Sequence, residues 1–469
     1  MAGTGSIVAS ILPTDRKAAA DEIAALAQYP DAVELRADHL GAADISSLVG
    51  RSECELIVTV RRRVDGGGFE GDEAQRREML LAALLAGARW IDVEQDNNLA
   101  SLADGPDASR IILSDHGATC EPQDLERRVE RLSRSRAARL KIVARAGRPS
   151  QVLAIRRVLR DRADGRLCAF AAGAAGALSR VLALAWGSWG TYAAVRRGAE
   201  TAAGQFTVEE LSTHYDVKTI RESTRIVALA GTDVVPKSPS PAMHNAGYRA
   251  LELDRVYLAL QTDAWDEVVT LAEALDMDGL AVTMPFKTAA ADHATTLDAL
   301  AGKARAVNTI VYRADGAFGA NTDGPAAVDC LESHGLVARD RIDVLGAGGA
   351  GRSIAAALAL RGYHPHLWSR AALEDRIVGE TDWLVNATPV RDDTLFGTGL
   401  PAARGVLDVV YGAQPTALIR AARRASLPAI EGFEFLVAQA ERQFEVHTGA
   451  KPPQGLFAEV GQRYLERLG

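Results

Sequence analysis

Aromatic residues make up only 5% of this 469-residue chain, and cysteine occurs four times. Cys54, Cys120, Cys168 and Cys330 are scattered and form no CxxC pair. That excludes a disulfide framework or a cysteine-rich metal fold and leaves free thiols in a reducing compartment. No apolar run reaches the roughly 18–20 residues of a membrane span. The stretch Met1 to Ser6 carries neither a basic region nor a long apolar export segment, so a cytoplasmic location is expected. A surplus of positive charge is missing as well. The formal net charge is −8, which argues against a general binder of nucleic acid or anionic membrane. Histidine occurs nine times, and only His364-Pro-His366 has a spacing that would suit a metal. No cluster of partners accompanies that pair, so no metal is expected.

What is present is an ordinary globular composition, 48% hydrophobic and 24% charged, with length for two or three domains. The most legible stretch is Arg341 to Arg370. Arg341-Ile-Asp-Val-Leu345 reads as a buried strand, and Gly346-Ala347-Gly348-Gly349-Ala350-Gly351 follows at once. An Ala/Leu-rich run then reads as helix. Strand, glycine turn and helix in this order form a dinucleotide fingerprint. The glycines give a tight turn, close approach of a pyrophosphate, and helix–strand packing. The helix N-terminus supplies free N–H groups to the phosphates. At the end of the next strand, His366-Leu-Trp368, an NAD site would place an acid, but this chain has Ser369-Arg370. A guanidinium suits a 2′-phosphate, which favours NADP. The plain alternative is a solvated surface arginine.

The first half alternates short apolar strands with amphipathic runs. The predicted strands are Ile7–Leu12, Ala32–Ala37, Leu56–Val60, Trp90–Glu94, Arg110–Leu113, Leu140–Ala144, Leu167–Ala171 and Tyr192–Val195. Helix-like runs between them include Arg16–Gln28, Glu73–Ala86, Pro122–Ser133 and Pro149–Leu159. This pattern predicts an α/β fold, a (β/α)8 barrel, with an open doubly wound sheet as the alternative. Charged residues sit in or just after the strands: Glu34, Arg36, Arg61, Glu94, His116, Lys141 and Arg180. In a barrel the C-terminal strand ends converge on one mouth, so these residues mark a site. Lys141, ringed by Arg36, Arg61 and Arg180, is expected to have its amine pKa depressed by burial and like charge. A neutral amine attacks a ketone to form an imine. His116 is the candidate for proton transfer near neutral pH, with Glu94 orienting it. The arginines suit a carboxylated substrate.

These residues, as Glu34-Leu-Arg36-Ala-Asp38, Thr59-Val-Arg61, Ile91-Asp-Val-Glu94, Ser114-Asp-His116, Leu140-Lys141-Ile142, Ser179-Arg180 and Gly204-Gln205, resemble type I 3-dehydroquinate dehydratase. The resemblance implies a (β/α)8 barrel. It implies a Schiff base on Lys141, proton removal and assisted loss of hydroxide by His116, and support of His116 by Glu94. It also implies a substrate held by Glu34, Arg36, Arg61, Arg180, Thr201 and Gln205. Two departures stand out: Gly117 after His116, and a Thr201-Ala-Ala-Gly204 loop that lacks the family's proline.

After a short connection a new α/β pattern begins at Arg225, with predicted strands Arg225–Gly231, Arg255–Leu260, Gly279–Thr283 and Asn308–Tyr312. Ser238 and Ser240, held between prolines, form a rigid polar hook or simply a capped helix start. Lys287 and Asp323 both sit in turns. Paired in one cleft, they would serve as an acid/base dyad beside a nicotinamide. The stretches Ser238-Pro-Ser240-Pro241, Val282-Thr283-Met-Pro-Phe-Lys287, Ala306-Val-Asn308-Thr309, Asn321-Thr-Asp323-Gly324, Asn386-Ala-Thr-Pro389 and Asp408-Val-Val-Tyr411, with Gly432 and Gln439, resemble shikimate dehydrogenase. That resemblance implies Lys287 and Asp323 as the catalytic pair. Substrate would be bound by Ser238, Ser240, Thr283, Asn308, Tyr411 and Gln439. NADP would be held by the Gly346–Gly351 turn, Ser369, Arg370 and Gly432. Asp233 and Lys237 replace the family's usual Pro and His, and Ser369-Arg370-Ala371 replaces Asn-Arg-Thr.

The two resemblances imply one chain with consecutive activities. The barrel (1–222) would convert 3-dehydroquinate to 3-dehydroshikimate. A substrate domain (223–325, completed by 432–469) and a Rossmann NADP domain (326–431) would reduce that product to shikimate. Expected partners are these small molecules, with no nucleic acid or membrane; the sequence leaves the oligomeric state open. Two rivals remain: NAD-dependent breakdown of quinate or shikimate, and a non-catalytic metabolite sensor. Retention of Lys141, His116, Lys287 and Asp323 argues against the sensor.

Overall fold

The computed structural model describes residues 5–26, 30–52, 54–162, 164–369, 380–395, 400, 402–412 and 414–467. The chain divides into two compact units, Met1–Thr224 and Arg225–Gly469.

In the first unit every predicted strand forms: β1 (Ser6–Ile11), β2 (Ala32–Arg36), β3 (Glu55–Thr59), β4 (Trp90–Glu94), β5 (Ile111–Thr119), β6 (Arg139–Arg145), β7 (Leu167–Ala172) and β8 (Gly190–Ala194). All pairings are parallel, in the order β7-β6-β5-β4-β3-β2-β1-β8. The β7/β8 seam has no ladder, but the Trp189 N–H donates to Leu167 O at 3.2 Å and Cys168 Sγ to Gly190 O at 3.0 Å. The result is a nearly closed (β/α)8 barrel, and the open-sheet alternative falls. Its floor is a packed cluster that includes Val8, Ile57, Trp90, Ile112, Phe170 and Tyr192.

Helix ends follow local chemistry. Pro122 starts the helix Pro122–Ser133, where Leu125, Val129 and Leu132 are buried at helical spacing. Asp72 and Gln75 form a reciprocal capping box for Glu73–Ala86. That helix carries Arg76, fully buried, inward to Glu94 at 3.2 Å. One expectation is corrected here. β5 does not stop at Leu113 but runs to Thr119, so His116 lies within the strand. A register shift between Asp115 and Ala118 makes this possible, with the Asp115 carboxylate taking the Gly117 N–H at 2.8 Å and the Arg128 guanidinium at 2.9 Å.

The second unit contains two sheets. One is mixed, in the order β10-β9-β11-β13-β14-β12. Its strands are β9 (Arg225–Gly231), β10 (Arg255–Gln261), β11 (Gly279–Val282), β12 (Thr296–Leu297), β13 (Thr309–Arg313) and β14 (Gly316–Ala320). The other is wholly parallel, β16-β15-β17-β18-β19, from β15 (Ile342–Leu345), β16 (Pro365–Trp368), β17 (Thr381–Asn386), β18 (Ala402–Asp408) and β19 (Ala429–Ile430). The C-terminal helices Gly432–Thr448 and Leu456–Glu466 return to the mixed sheet. Their Ala440, Phe444 and Phe457 share a core with Val227, Leu229, Met243 and Tyr257.

That core holds two buried imidazoles. His244 stacks on Tyr257 with ring centroids 4.1 Å apart, and neither ring nitrogen has a hydrogen-bond partner among the described residues. Burial holds His244 well below the usual histidine range and takes His447 down to about 4. Unfolding therefore takes up protons below the unfolded value of about 6.5. The stability of this unit should be full above that pH and fall as pH drops toward about 4. His244→Phe should change stability little at pH 8 and raise it relative to the parent at pH 5. Urea unfolding at the two pH values measures this, and an equal effect at both would refute it.

Candidate active sites

Period-two alternation builds the first site. Residues two apart on a strand face the same way, and the barrel interior acquires a polar layer of Ser10, Glu34, Thr59, Asp92, Ser114 and Lys141. Their contacts establish it. Ser10 Oγ donates to Glu34 Oε2 at 2.6 Å, Thr59 Oγ1 to Glu34 Oε1 at 2.9 Å, and Ser114 Oγ to Asp92 Oδ1 at 2.6 Å. Lys141 Nζ lies 2.5 Å from Asp92 Oδ2, 3.2 Å from Glu34 Oε1, and 4.5 Å from the Tyr192 ring centre. Lys141 is 2% exposed, so nearly all of its charge is balanced inside the barrel.

This corrects the expected titration of Lys141. Burial does oppose its charge, but Asp92 and Glu34 outweigh burial and the neighbouring Arg61, so its pKa is raised. The arginines alone do not set this amine, because Asp92 stands 2.5 Å from it. Glu34 is the complement: burial pushes it up, yet Lys141, Arg36, Arg61 and Ser10 bring it down to about 2.

Two residues further along the strands, a second layer forms a charge relay. Arg61 donates from Nε to Glu94 Oε1 at 3.3 Å and from Nη2 to His116 Nε2 at 2.7 Å. Glu94 also meets Arg76 and accepts from Asn97 Nδ2 at 3.0 Å. Glu94 therefore reaches His116 through Arg61. Burial, then Arg61, Lys141 and Arg36, hold His116 well below the usual range, so its resting imidazole is neutral. Because a guanidinium only donates, Nε2 is the acceptor and Nδ1 carries the proton. Arg36 pairs with Asp38 at 2.6 Å. Thr201 Oγ1 donates to Ser10 Oγ at 3.1 Å, and its N–H to Gln205 Oε1 at 2.8 Å, which ties the loop after β8 to the polar layer. Arg180, 1% exposed, stacks on Phe170 at 4.4 Å and donates Nη1 to Tyr192 O at 3.2 Å. Its Nε and Nη2 have no hydrogen-bond partner among the described residues, and burial takes its pKa down to about 10. A carboxylate would satisfy those donors.

The second site assembles around Lys287 and Asp323. Lys287 opens the helix that follows the turn after β11, and Asp323 opens the helix after β14. Their side chains meet at 2.5 Å. Asn308 orients the acid, donating Nδ2 to Asp323 Oδ1 at 2.9 Å and to Thr322 Oγ1 at 2.8 Å. Ser238 Oγ donates to Ser240 Oγ at 3.0 Å. Burial raises the Tyr411 phenol against a hydrogen bond with Ser238, so these three belong together. Thr283 is half-buried beside Gly231, where a Cβ would fall 2.4 Å from its Cγ2. Gln439 donates to Leu436 O of its own helix at 3.0 Å. One turn on, Gln443 does what Gln439 does not: its Nε2 meets Asn308 O at 3.0 Å and Thr309 Oγ1 at 3.1 Å.

The glycine turn has the local form required of it. Gly346 has φ +101°, and a Cβ on Gly351 would lie 1.8 Å from Gly346 O. A Cβ on Gly348 would meet nothing within 4 Å, and the helix Gly349–Leu360 that starts there has no side-chain cap. Open space beside uncapped N–H groups of Gly349, Ala350 and Gly351 fits a phosphate. Lys287 packs under this turn, its Cβ and Cδ 3.1 Å from where a Gly349 Cβ would sit. Ala347 O accepts from Arg352 Nη1 at 3.1 Å. Ser369 follows β16 and is exposed, while Arg370 lies outside the described residues. Gly432 is buried against the end of β18, where a Cβ would lie 2.4 Å from the Val410 carbonyl carbon. Among the described residues no group of three or more His, Cys, Asp or Glu is placed to hold a metal, and no helix is long and apolar enough to cross a membrane.

Comparison with known proteins matches residues 7–222 to the type I 3-dehydroquinase family and residues 229–310 to the shikimate dehydrogenase substrate binding domain. The chain is 28% identical over 490 residues to the chloroplastic bifunctional 3-dehydroquinate dehydratase/shikimate dehydrogenase of Arabidopsis thaliana, covering 92% of this chain and 80% of that protein. It is 30% identical over 382 residues to the shikimate biosynthesis protein AroDE of Chlamydia pneumoniae, covering 76% and 78%. A shikimate dehydrogenase (NADP(+)) of Halorubrum lacusprofundi is 37% identical over 254 residues, 47% of this chain and 92% of that protein. With a lysine-bearing barrel and a Lys–Asp dyad beside a glycine turn in one polypeptide, the chain belongs to the bifunctional 3-dehydroquinate dehydratase/shikimate dehydrogenase family.

Proposed function

We propose that the barrel dehydrates 3-dehydroquinate to 3-dehydroshikimate and that the second unit reduces this product to shikimate with NADPH. The observation that carries the reading is the presence, in one chain, of two separate lysine–carboxylate centres, one inside a barrel and one under a glycine turn.

In the barrel, Lys141 gives up a proton and its amine attacks the substrate ketone. A C–N bond forms, the ketone oxygen leaves as water, and an iminium remains. Neutral His116 removes the proton next to the iminium carbon. The enamine then expels the β-hydroxyl, which leaves as water with a proton from His116, and a second water hydrolyses the imine. The Arg180 nitrogens supply two unspent donors for the substrate carboxylate.

In the second unit, NADPH when bound supplies a hydride to the carbonyl carbon. The turn Gly346–Gly351, with Ser369 and Arg370, would hold it. Lys287 gives a proton to the oxygen as it becomes a hydroxyl, and Asp323 keeps that ammonium placed. Ser238, Ser240 and Tyr411 offer hydroxyls to the ring substituents.

A single assay tests the whole reading: the purified chain with 3-dehydroquinate and NADPH. NADPH loss with shikimate formed is expected. Consumption only after added 3-dehydroshikimate would refute the barrel reaction. Preference for NADH or for quinate would favour the catabolic alternative, and silence with every substrate would favour a sensor.

A further inference from the structure

We propose that Asp92 is a catalytic residue of the barrel, the group that takes the proton from the Lys141 ammonium before attack and returns it to the departing carbinolamine hydroxyl. The inference rests on the imine reading above. Lys141 needs a base at hand, because as an ammonium it has no lone pair with which to attack a ketone.

Two carboxylates touch Nζ, and they are not equivalent. Glu34 has both oxygens occupied, Oε2 by Ser10 and Oε1 by Thr59 and by Lys141 at the longer distance of 3.2 Å. Asp92 Oδ2 stands 2.5 Å from Nζ and has no other hydrogen-bond donor among the described residues. Its Oδ1 is anchored by Ser114 Oγ at 2.6 Å, which holds the plane of the carboxylate toward the lysine. Glu34, brought down to about 2 by its cationic neighbours, is a poor proton acceptor. The balance is simple. Asp92 becomes a carboxylic acid as Lys141 becomes an amine. The C–N bond forms, and the acid proton then leaves with the hydroxyl as water, which restores the carboxylate.

The test is the rate at which borohydride traps 3-dehydroquinate on Lys141 in the full chain, read by mass spectrometry of the lysine-bearing peptide. Asp92→Asn should slow trapping by about 100-fold or more, the scale of a lost general base. A merely electrostatic role predicts the opposite sign. Removing a neighbouring negative charge makes Lys141 easier to deprotonate and would leave trapping unchanged or faster, and that result overturns the proposal. Should Asp92→Asn fail to fold, Ser114→Ala decides. Trapping slowed by roughly 5- to 20-fold supports the proposal, and a parental rate refutes it. Absence of any Lys141 adduct in the parent chain would instead overturn the underlying imine reading.

Discussion

Lys141→Met should abolish dehydration of 3-dehydroquinate, by at least about 10⁴-fold, the scale seen when a covalent nucleophile is deleted. That corresponds to about 5 kcal/mol of transition-state stabilisation. Methionine matches the stem in length and apolarity, so packing against Tyr192 and the strand survives. The charge does not, and Asp92 and Glu34 are left facing each other without the cation that both contact. Two buried carboxylates without a cation do not both stay ionised, so the variant should bind an extra proton and lose stability as well. The two effects separate by measurement. Reduction of 3-dehydroshikimate by the second unit of the same molecule reports the amount of working protein, and the thermal melt reports the barrel. Dehydration within tenfold of the parent would remove Lys141 from the chemistry.

The second large effect is expected at Asp323. Asp323→Asn should lower reduction of 3-dehydroshikimate by about 10²–10³-fold, within the range of a lost acid–base partner. The aspartate makes two contacts with different purposes, Oδ2 to Lys287 and Oδ1 to Asn308. An amide keeps the shape but loses the charge that holds the ammonium in place. Lys287→Met should cost a similar factor, and the double variant little more than either single one, because groups that act as a unit are not additive. Steady-state reduction rates of the three variants, with dehydration as the internal control, measure this. Fully multiplicative losses would show that the two residues act independently.

How much of this was legible without coordinates depends on which interactions are local. Strand positions in the barrel follow from runs of Val, Ile, Leu and Ala bounded by helix caps; all eight form, seven of them within two residues of expectation, while β5 runs six residues past its expected end. The glycine turn was equally plain, since Gly346 and Gly351 answer steric needs within six residues of each other. The errors lie where partners come from far along the chain. Lys141 and Asp92 are 49 positions apart and sit on strands separated by β5, so only barrel closure makes them neighbours. Asp92 is two residues before Glu94, and the period of a strand already puts both on one face. The Arg61 bridge between Glu94 and His116, and the buried Arg76 behind it, depend on side-chain reach, which no spacing encodes.

The packing of Lys287 beneath Gly349 bears on how this half of the molecule can change. The guanidinium of Arg352, on the helix that begins at Gly349, donates to Ala347 O, to Ala304 O at 3.0 Å and Arg305 O at 3.3 Å, and to Thr288 Oγ1 at 3.2 Å. One side chain thus stitches the glycine turn to Thr288, next to Lys287, and to the 304–305 segment. The cofactor lobe is therefore not an interchangeable cassette. A lobe grafted from a relative with another cofactor preference would have to bring a glycine at 349 and an arginine at 352, or the lysine would move with the graft. On the function proposed above, a change of cofactor preference would be made at the far strand end, around Ser369, and not at the turn itself.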